Sequence, residues 1–241
     1  MSETVVPKLL AFDTSTEALS VAVRHGDALF EHSAVGGALS SSTLIPLVLR
    51  LLAEAGLRLD QLDAIAFGRG PGSFTGLRTA CAVAQGLGFG AGVPVLPIDT
   101  LHAVAEEARE RFGALRVVAL LDARMDQLYA AHYAFDASPV GADEAESRVL
   151  SPEQIEVPAG WAMTGNAFSA YGDRLPAAPE RHLVLPTAAA LLRLAPALLA
   201  QGRAVRPDQA WPLYVRDKVA QTTDERAVLA QAKAAALAAI S

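Results

Sequence analysis

Apolar residues recur along this chain first with the period of a strand, then with that of a helix, and the two periods alternate. KLLAFDT (8–14), LSVAVRH (19–25) and ALFEHS (28–33) are short apolar runs, the last two split by the turn His25-Gly26-Asp27. They predict three strands in succession, the second and third as a hairpin. Ser40 to Ser42 and Thr43 offer N-caps to a helix, TLIPLVLRLLAEAGL, that stops at Gly56. DAIAFGRG (63–70) predicts a fourth strand, SFTGLRTACAVAQGLGFG a second helix and VPVLPID (93–99) a fifth strand. A third helix, LHAVAEEARERFG, starts at Thr100. RVVALLDA (116–123) and DQLYAAHYAF (126–135) restart the strand pattern after a composition seam near Leu115. Weaker elements follow a polar loop over 137–146: SPEQIEV, WAMTGN, HLVLP, then a helix TAAALLRLAPALLAQG, an extended PLYVRDKVA and an Ala-rich terminal helix. The order βββαβαβα followed by a second strand series predicts an α/β protein with mixed sheets.

The helices carry more apolar surface than one sheet needs. On the first, Leu44, Val48 and Ala55 are central to an apolar arc of about 200°, where a surface helix needs little more than 100°. Its flanks, Leu47 with Leu51 and Ile45 with Leu49, are left over. On the second, Leu77, Ala80, Cys81, Ala84 and Leu87 form a core stripe, and Arg78, Ala82, Gln85 and Phe89 form a separate one. Such a surplus predicts either an interface with another protein or cover from the second half of the chain.

Between the fourth strand and the second helix lies GRGPGSFTGLRTA (68–80), dense in glycine and hydroxyl residues. It fits no nucleotide motif. Gly76 is followed by Leu77-Arg78 and not by the Walker lysine, Thr75 occupies the last glycine of a dinucleotide fingerprint, and Gly72-Ser73-Phe74-Thr75-Gly76 misplaces the serine of a nucleophile elbow. The loop reads as a turn that aims a helix or as an anion cradle at the helix start. Asp13, Thr14, Ser15 and Thr16, ending the first strand, suit either a metal-bound phosphate or a tight turn.

Composition narrows the classes. Hydrophobic residues make up 52% and charged residues 19%, as in a globular chain. A net charge of −6 argues against direct nucleic-acid binding. No apolar run reaches membrane-spanning length, and no leader sequence is evident. The single cysteine, Cys81, fits a reducing compartment, so the expected location is the cytoplasm. The histidines at 25, 32, 102, 132 and 182 show no paired metal-ligand spacing, so no metal site is expected.

FDTSTEALSVAV, GRGPGSFTGLRTACAVAQGLGFG, LLDARMDQLYAAHY and PLYVRDKVA, in this order, closely resemble the TsaB (YeaZ) family. Its members are the bacterial subunits needed for threonylcarbamoyladenosine at position 37 of tRNAs that read ANN codons. The match is weak over about 137–210. The resemblance implies two ribonuclease-H-like subdomains of the actin/sugar-kinase/chaperone-ATPase (ASKHA) superfamily, over 1–115 and 116–222, with a helical extension over 223–241. It implies a degenerate relative of the catalytic subunit TsaD. The H-x-x-x-H of TsaD falls on Thr100 and Val104 here, with His102 between them. The glycine-rich phosphate turn of TsaD falls on Asp122-Ala123-Arg124-Met125-Asp126, whose carboxylates repel phosphate while Arg124 offsets part of that.

The implied role is a non-catalytic scaffold that forms a homodimer when alone and exchanges that contact for TsaD, which TsaE then joins; tRNA is met only through the complex. The implied interface is Ile45, Leu47, Leu49, Leu51, Arg78, Ala82, Gln85 and Phe89. Weak phosphate or nucleotide contact is assigned to Asp13, Thr14, Ser15, Gly72 and Ser73. No resident cofactor is expected, with ATP or ADP admitted at a subunit junction. The rival readings are an ATP-dependent phosphotransferase or ATPase of the same superfamily and, less well supported, an M22-type metalloprotease.

Overall fold

The computed structural model describes residues 6–216 apart from 137, 139 and 142–145. The terminal Ala-rich helix and the end of the PLYVRDKVA run lie outside these residues. β1 (Leu9–Asp13) is apolar on both faces because it is the middle strand of its sheet. The hairpin β2 (Ala18–His25) and β3 (Ala28–Val35) adds antiparallel on one side. On the other side β4 (Ala64–Gly70) and β5 (Val95–Asp99) add parallel, giving the order β3-β2-β1-β4-β5.

The second sheet repeats this plan. β6 (Arg116–Asp122) is central, with the antiparallel β7 (Leu128–Ala134) and β8 (Arg148–Leu150) on one side. The parallel β9 (Ala162–Gly165) and β10 (Arg181–Leu183) lie on the other. Both lobes therefore carry the same strand order, the ribonuclease-H-like plan.

Leu10 and Phe12 face a core shared with α1 (Ser40–Glu54) and α2 (Phe74–Ala91). Leu9 and Ala11 face the other way, onto α5 (Ala188–Ala200). α3 (Thr100–Phe112) instead places Leu101, Val104 and Ala108 on the second sheet. The last helix of each lobe thus packs on the sheet of the other. Glu106 on α3 is 1% exposed and accepts hydrogen bonds from Arg109 and from Arg193 on α5, at 2.7 and 2.9 Å. Arg193 also reaches Glu107 at 2.7 Å. This paired charge cluster pins α3 to α5 across the seam at Leu115.

Some boundaries differ from expectation. α1 starts at Ser40 with Leu39 as its N-cap, and the hydroxyls of Ser42 and Thr43 donate back to the Leu39 carbonyl at 3.0 and 2.8 Å. They join the helix because that local bond is available inside it. β8 spans three residues and α4 (Phe168–Tyr171) four, too few to show a period.

Candidate functional site

The glycine-rich loop packs against the chain itself. The Thr14 hydroxyl donates to the Gly76 carbonyl at 2.7 Å, and the Ser73 amide donates to the Ser15 carbonyl at 2.7 Å. A Cβ on Gly76 would stand 1.8 Å from the Thr14 carbonyl oxygen, and one on Gly72 would stand 2.5 Å from that of Ser15. These glycines seat the start of α2 on the β1–β2 turn, and the Ser73 amide is used in doing so.

Asp13 is turned inward by the same close packing. Its Oδ1 accepts from the Ser15 amide and hydroxyl at 2.8 and 2.6 Å, and its Oδ2 lies where a Gly68 Cβ would be, 1.8 Å away. That Oδ2 has no hydrogen-bond partner among the described residues. Burial pushes the carboxyl from 3.8 up to about 6. The folded state therefore holds this proton to higher pH than the unfolded chain does. The favourable contribution is complete below about pH 4 and is lost as pH rises through about 6. Asp13→Asn keeps an acceptor for Ser15 and removes the buried charge. It should stabilise the fold by about 1–3 kcal/mol at pH 8 and by little at pH 4. Urea melts of both proteins at the two pH values check this, and a gain independent of pH would refute it.

A cleft of about 500 Å³ lies between the lobes, lined by Ser15, Thr16, Gly72 and Ser73 on one wall and by Asp122, Arg124 and Met125 on the other. Of the five residues expected to touch phosphate, Asp13 and Thr14 do not line it; burial has drawn them into the turn. In the turn that forms the far wall, Arg124, Met125 and the adjoining Asp126 are all left-handed, at φ 60, 55 and 63°. Each costs about 1–2 kcal/mol without glycine. Long-range clamps hold this turn. The Tyr171 hydroxyl donates to Asp122 Oδ1 at 2.9 Å, Arg216 donates to the Arg124 carbonyl at 3.3 Å and to Gln127 at 2.7 Å, and Arg174 bridges Asp126 and Glu153. Burial and the bond to Asp122 push the Tyr171 phenol up to about 12. Arg124 also pairs with Asp122 at 3.0 Å, so the two carboxylates of this turn have cationic partners.

An exposed apolar surface of the first lobe lies on α1 and α2. Ile45, Leu49 and Leu39 are exposed on α1 and its cap, and Phe89 on α2 is 82% exposed with Ala82 also open. A shallow groove of about 460 Å³ runs between Ser41 and the row Thr75, Thr79, Ala82 and Val83. Three expected members of this face are not part of its open surface. Leu47 and Leu51 are in the core, 8% and 2% exposed, in a cluster with residues of β1, β2, β4, α2 and the chain after α1. Gln85 is half-buried and donates to the Ala210 carbonyl at 2.8 Å, so it fastens the segment after α5 onto α2. Arg78 lies 3.8 Å over the Phe74 ring and donates to the Tyr214 hydroxyl at 3.1 Å. Phe74 and Tyr214 extend the face and were missed by periodicity: Phe74 opens the helix, and Tyr214 lies outside any helix or strand.

Among the described residues no group of three or more His, Cys, Asp or Glu side chains is placed to hold a metal ion. No helix among them is long and apolar enough to cross a membrane.

Two lobes of one strand order, with exchanged last helices and a cleft between them, define a protein of the ASKHA type. Residues 34–223 match the family profile described as TsaD, tRNA N6-adenosine threonylcarbamoyltransferase. The tRNA threonylcarbamoyladenosine biosynthesis protein TsaB of Escherichia coli K12 is 34% identical over 222 residues, 88% of this chain and 96% of that protein. Its Haemophilus influenzae counterpart is 36% identical over 230 residues, covering 88% and 94%. The solved structure of YeaZ from Pseudomonas aeruginosa is 42% identical, with a TM-score of 0.81, over 86% of this chain and 99% of that one. The chain belongs to the TsaB (YeaZ) family.

Proposed function

We propose that this chain is a non-catalytic partner subunit in the formation of threonylcarbamoyladenosine at position 37 of tRNA. In this reading the exposed face of α1 and α2 receives TsaD, TsaE joins the pair, and a second copy of the chain takes the same face when TsaD is absent. The observation that carries it is the Ile45, Leu49, Ala82 and Phe89 surface, apolar and left open among the described residues, in a chain of the TsaB family. Two helices from each partner can bury the roughly 1,200–2,000 Å² that a stable complex needs, and a four-helix contact is the natural geometry. The scaffold assignment is supported by the cleft. Its loop amide is spent on Ser15, and its second turn offers side chains where a phosphate needs open backbone. A nucleotide then belongs at a subunit junction and not in this chain alone. The charge of −6 favours contact with tRNA through the complex, and the place of work is the cytoplasm.

Analytical ultracentrifugation tests the shared face. Adding TsaD should convert the homodimer into a one-to-one heterodimer, with no species holding two copies of this chain and TsaD together. A stable three-chain species would place the two contacts on different surfaces and overturn the exchange.

A further inference from the structure

A second cavity, of about 350 Å³, shares no lining residue with the cleft or the α1–α2 groove. It lies between the ends of β4 and β5, the first turn of α3, β7 of the second lobe and the turn after α5. Pro97, Ile98, Leu198 and Val205 make its apolar wall. Its polar side is built from Arg69, Asp99, His102, Tyr133 and Arg203. Arg69 and Asp99 neutralise each other through an ion pair of 2.5 Å. Arg203 has no side-chain ion pair or hydrogen bond among the described residues, so it leaves the cavity with a net positive charge.

Tyr133 is the unusual member. It is 2% exposed, and its ring stacks on His102 with centroids 4.9 Å apart. Its hydroxyl is buried with no hydrogen-bond partner among the described residues. A buried hydroxyl left unpaired costs free energy that an acceptor in the cavity would recover. Burial first, and the nearby Asp99 second, keep the phenol protonated far above neutral pH, so it can only meet a ligand as a donor or neutral group. One unpaired cation, one orphaned buried donor and an apolar wall together select for an acceptor of negative charge on a small apolar body.

We propose that this cavity binds a small organic oxyanion, its carboxylate or phosphate head accepting from the Tyr133 hydroxyl and pairing with Arg203, its apolar body against Ile98 and Leu198. The site is independent of the α1–α2 face, so the proposal stands or falls apart from the partner-subunit reading.

Calorimetry on the full chain tests it with two probes of one body and different heads, butyrate and butyl phosphate, and with butanol as the neutral control. At least one anion should bind and raise the melting temperature, and butanol should do neither. Arg203→Gln should weaken that binding at least about tenfold, the effect of losing one charge-assisted contact. Tyr133→Phe, which keeps the ring, should weaken it about three- to tenfold and should melt no lower than the parent without ligand. Binding of butyrate alone identifies a carboxylate, and binding of butyl phosphate alone identifies a phosphate. No binding of either, or equal affinity in the Arg203→Gln chain, overturns the site.

Discussion

Phe89→Glu should weaken binding to TsaD at least about 100-fold, a loss of roughly 2.7 kcal/mol, while leaving the melting temperature of the monomeric chain, measured at dilution, unchanged. Phe89 is 82% exposed, so its ring does nothing for the fold. Buried in a complex, the same ring is worth about 2–3 kcal/mol, and a carboxylate in its place must be desolvated as well. Hot spots at interfaces are of this kind, large and central among contacts that exclude water. Leu49→Glu should act in the same direction through the neighbouring helix. Leu51→Ala is the informative contrast. Leu51 is 2% exposed, so its loss should cost about 2–5 kcal/mol of stability through a cavity, with affinity falling only as far as folding does. Titration calorimetry with TsaD, paired with thermal melts, separates the two effects. A Phe89→Glu chain that binds TsaD normally would move the interface elsewhere.

Gly76→Ala should destabilise the fold by at least about 3 kcal/mol and lower the melting temperature by roughly 6–12 °C. The added Cβ would meet the Thr14 carbonyl oxygen at 1.8 Å, and that atom is backbone in a buried turn, so it cannot swing aside. Moving it would also break the Thr14 hydroxyl bond to Gly76. Gly86→Ala in the same helix meets nothing within 4 Å and should instead stabilise by about 0.5–1 kcal/mol, through helix propensity alone. Opposite signs for two identical substitutions in one helix would show that the loop glycines make room for the β1–β2 turn. A tolerated Gly76→Ala would mean the turn is looser than the hydrogen bonds imply.

The elements with a long, clean period are legible in the sequence: the central strands, α1 to α3 and α5 all lie where the apolar spacing puts them. The family resemblance was legible too, from four motifs in order. What failed to show in the sequence was tertiary. The apolar arc of α1 has two flanks of equal hydrophobicity, and nothing local says that Leu47 and Leu51 will be enclosed while Ile45 and Leu49 stay open. That choice is made by tertiary packing: Leu47 and Leu51 join a cluster drawn from β1, β2, β4, α2 and the chain after α1. Gln85 looked free because its partner, the Ala210 carbonyl, is 125 residues away. The loop reads as a turn that aims α2, without showing what it aims it against. Gly76 and Gly72 make their closest contacts with Thr14 and Ser15, brought alongside by the pairing of β1 with β4, and Gly68 with Asp13. The left-handed turn at Arg124–Asp126 contains no glycine, so its conformation is set by the clamps from Tyr171, Arg174 and Arg216 and not by local propensity.

The central claim is that this chain serves TsaD as a partner and performs no chemistry itself. Threonylcarbamoyladenosine formation on tRNA, measured with purified TsaD and TsaE with and without this chain, tests it most directly. The account predicts that product forms only when the chain is present, that the chain without TsaD makes none, and that the Phe89→Glu chain supports little. Equal modification by TsaD and TsaE in its absence, or product formed by the chain without TsaD, would contradict it.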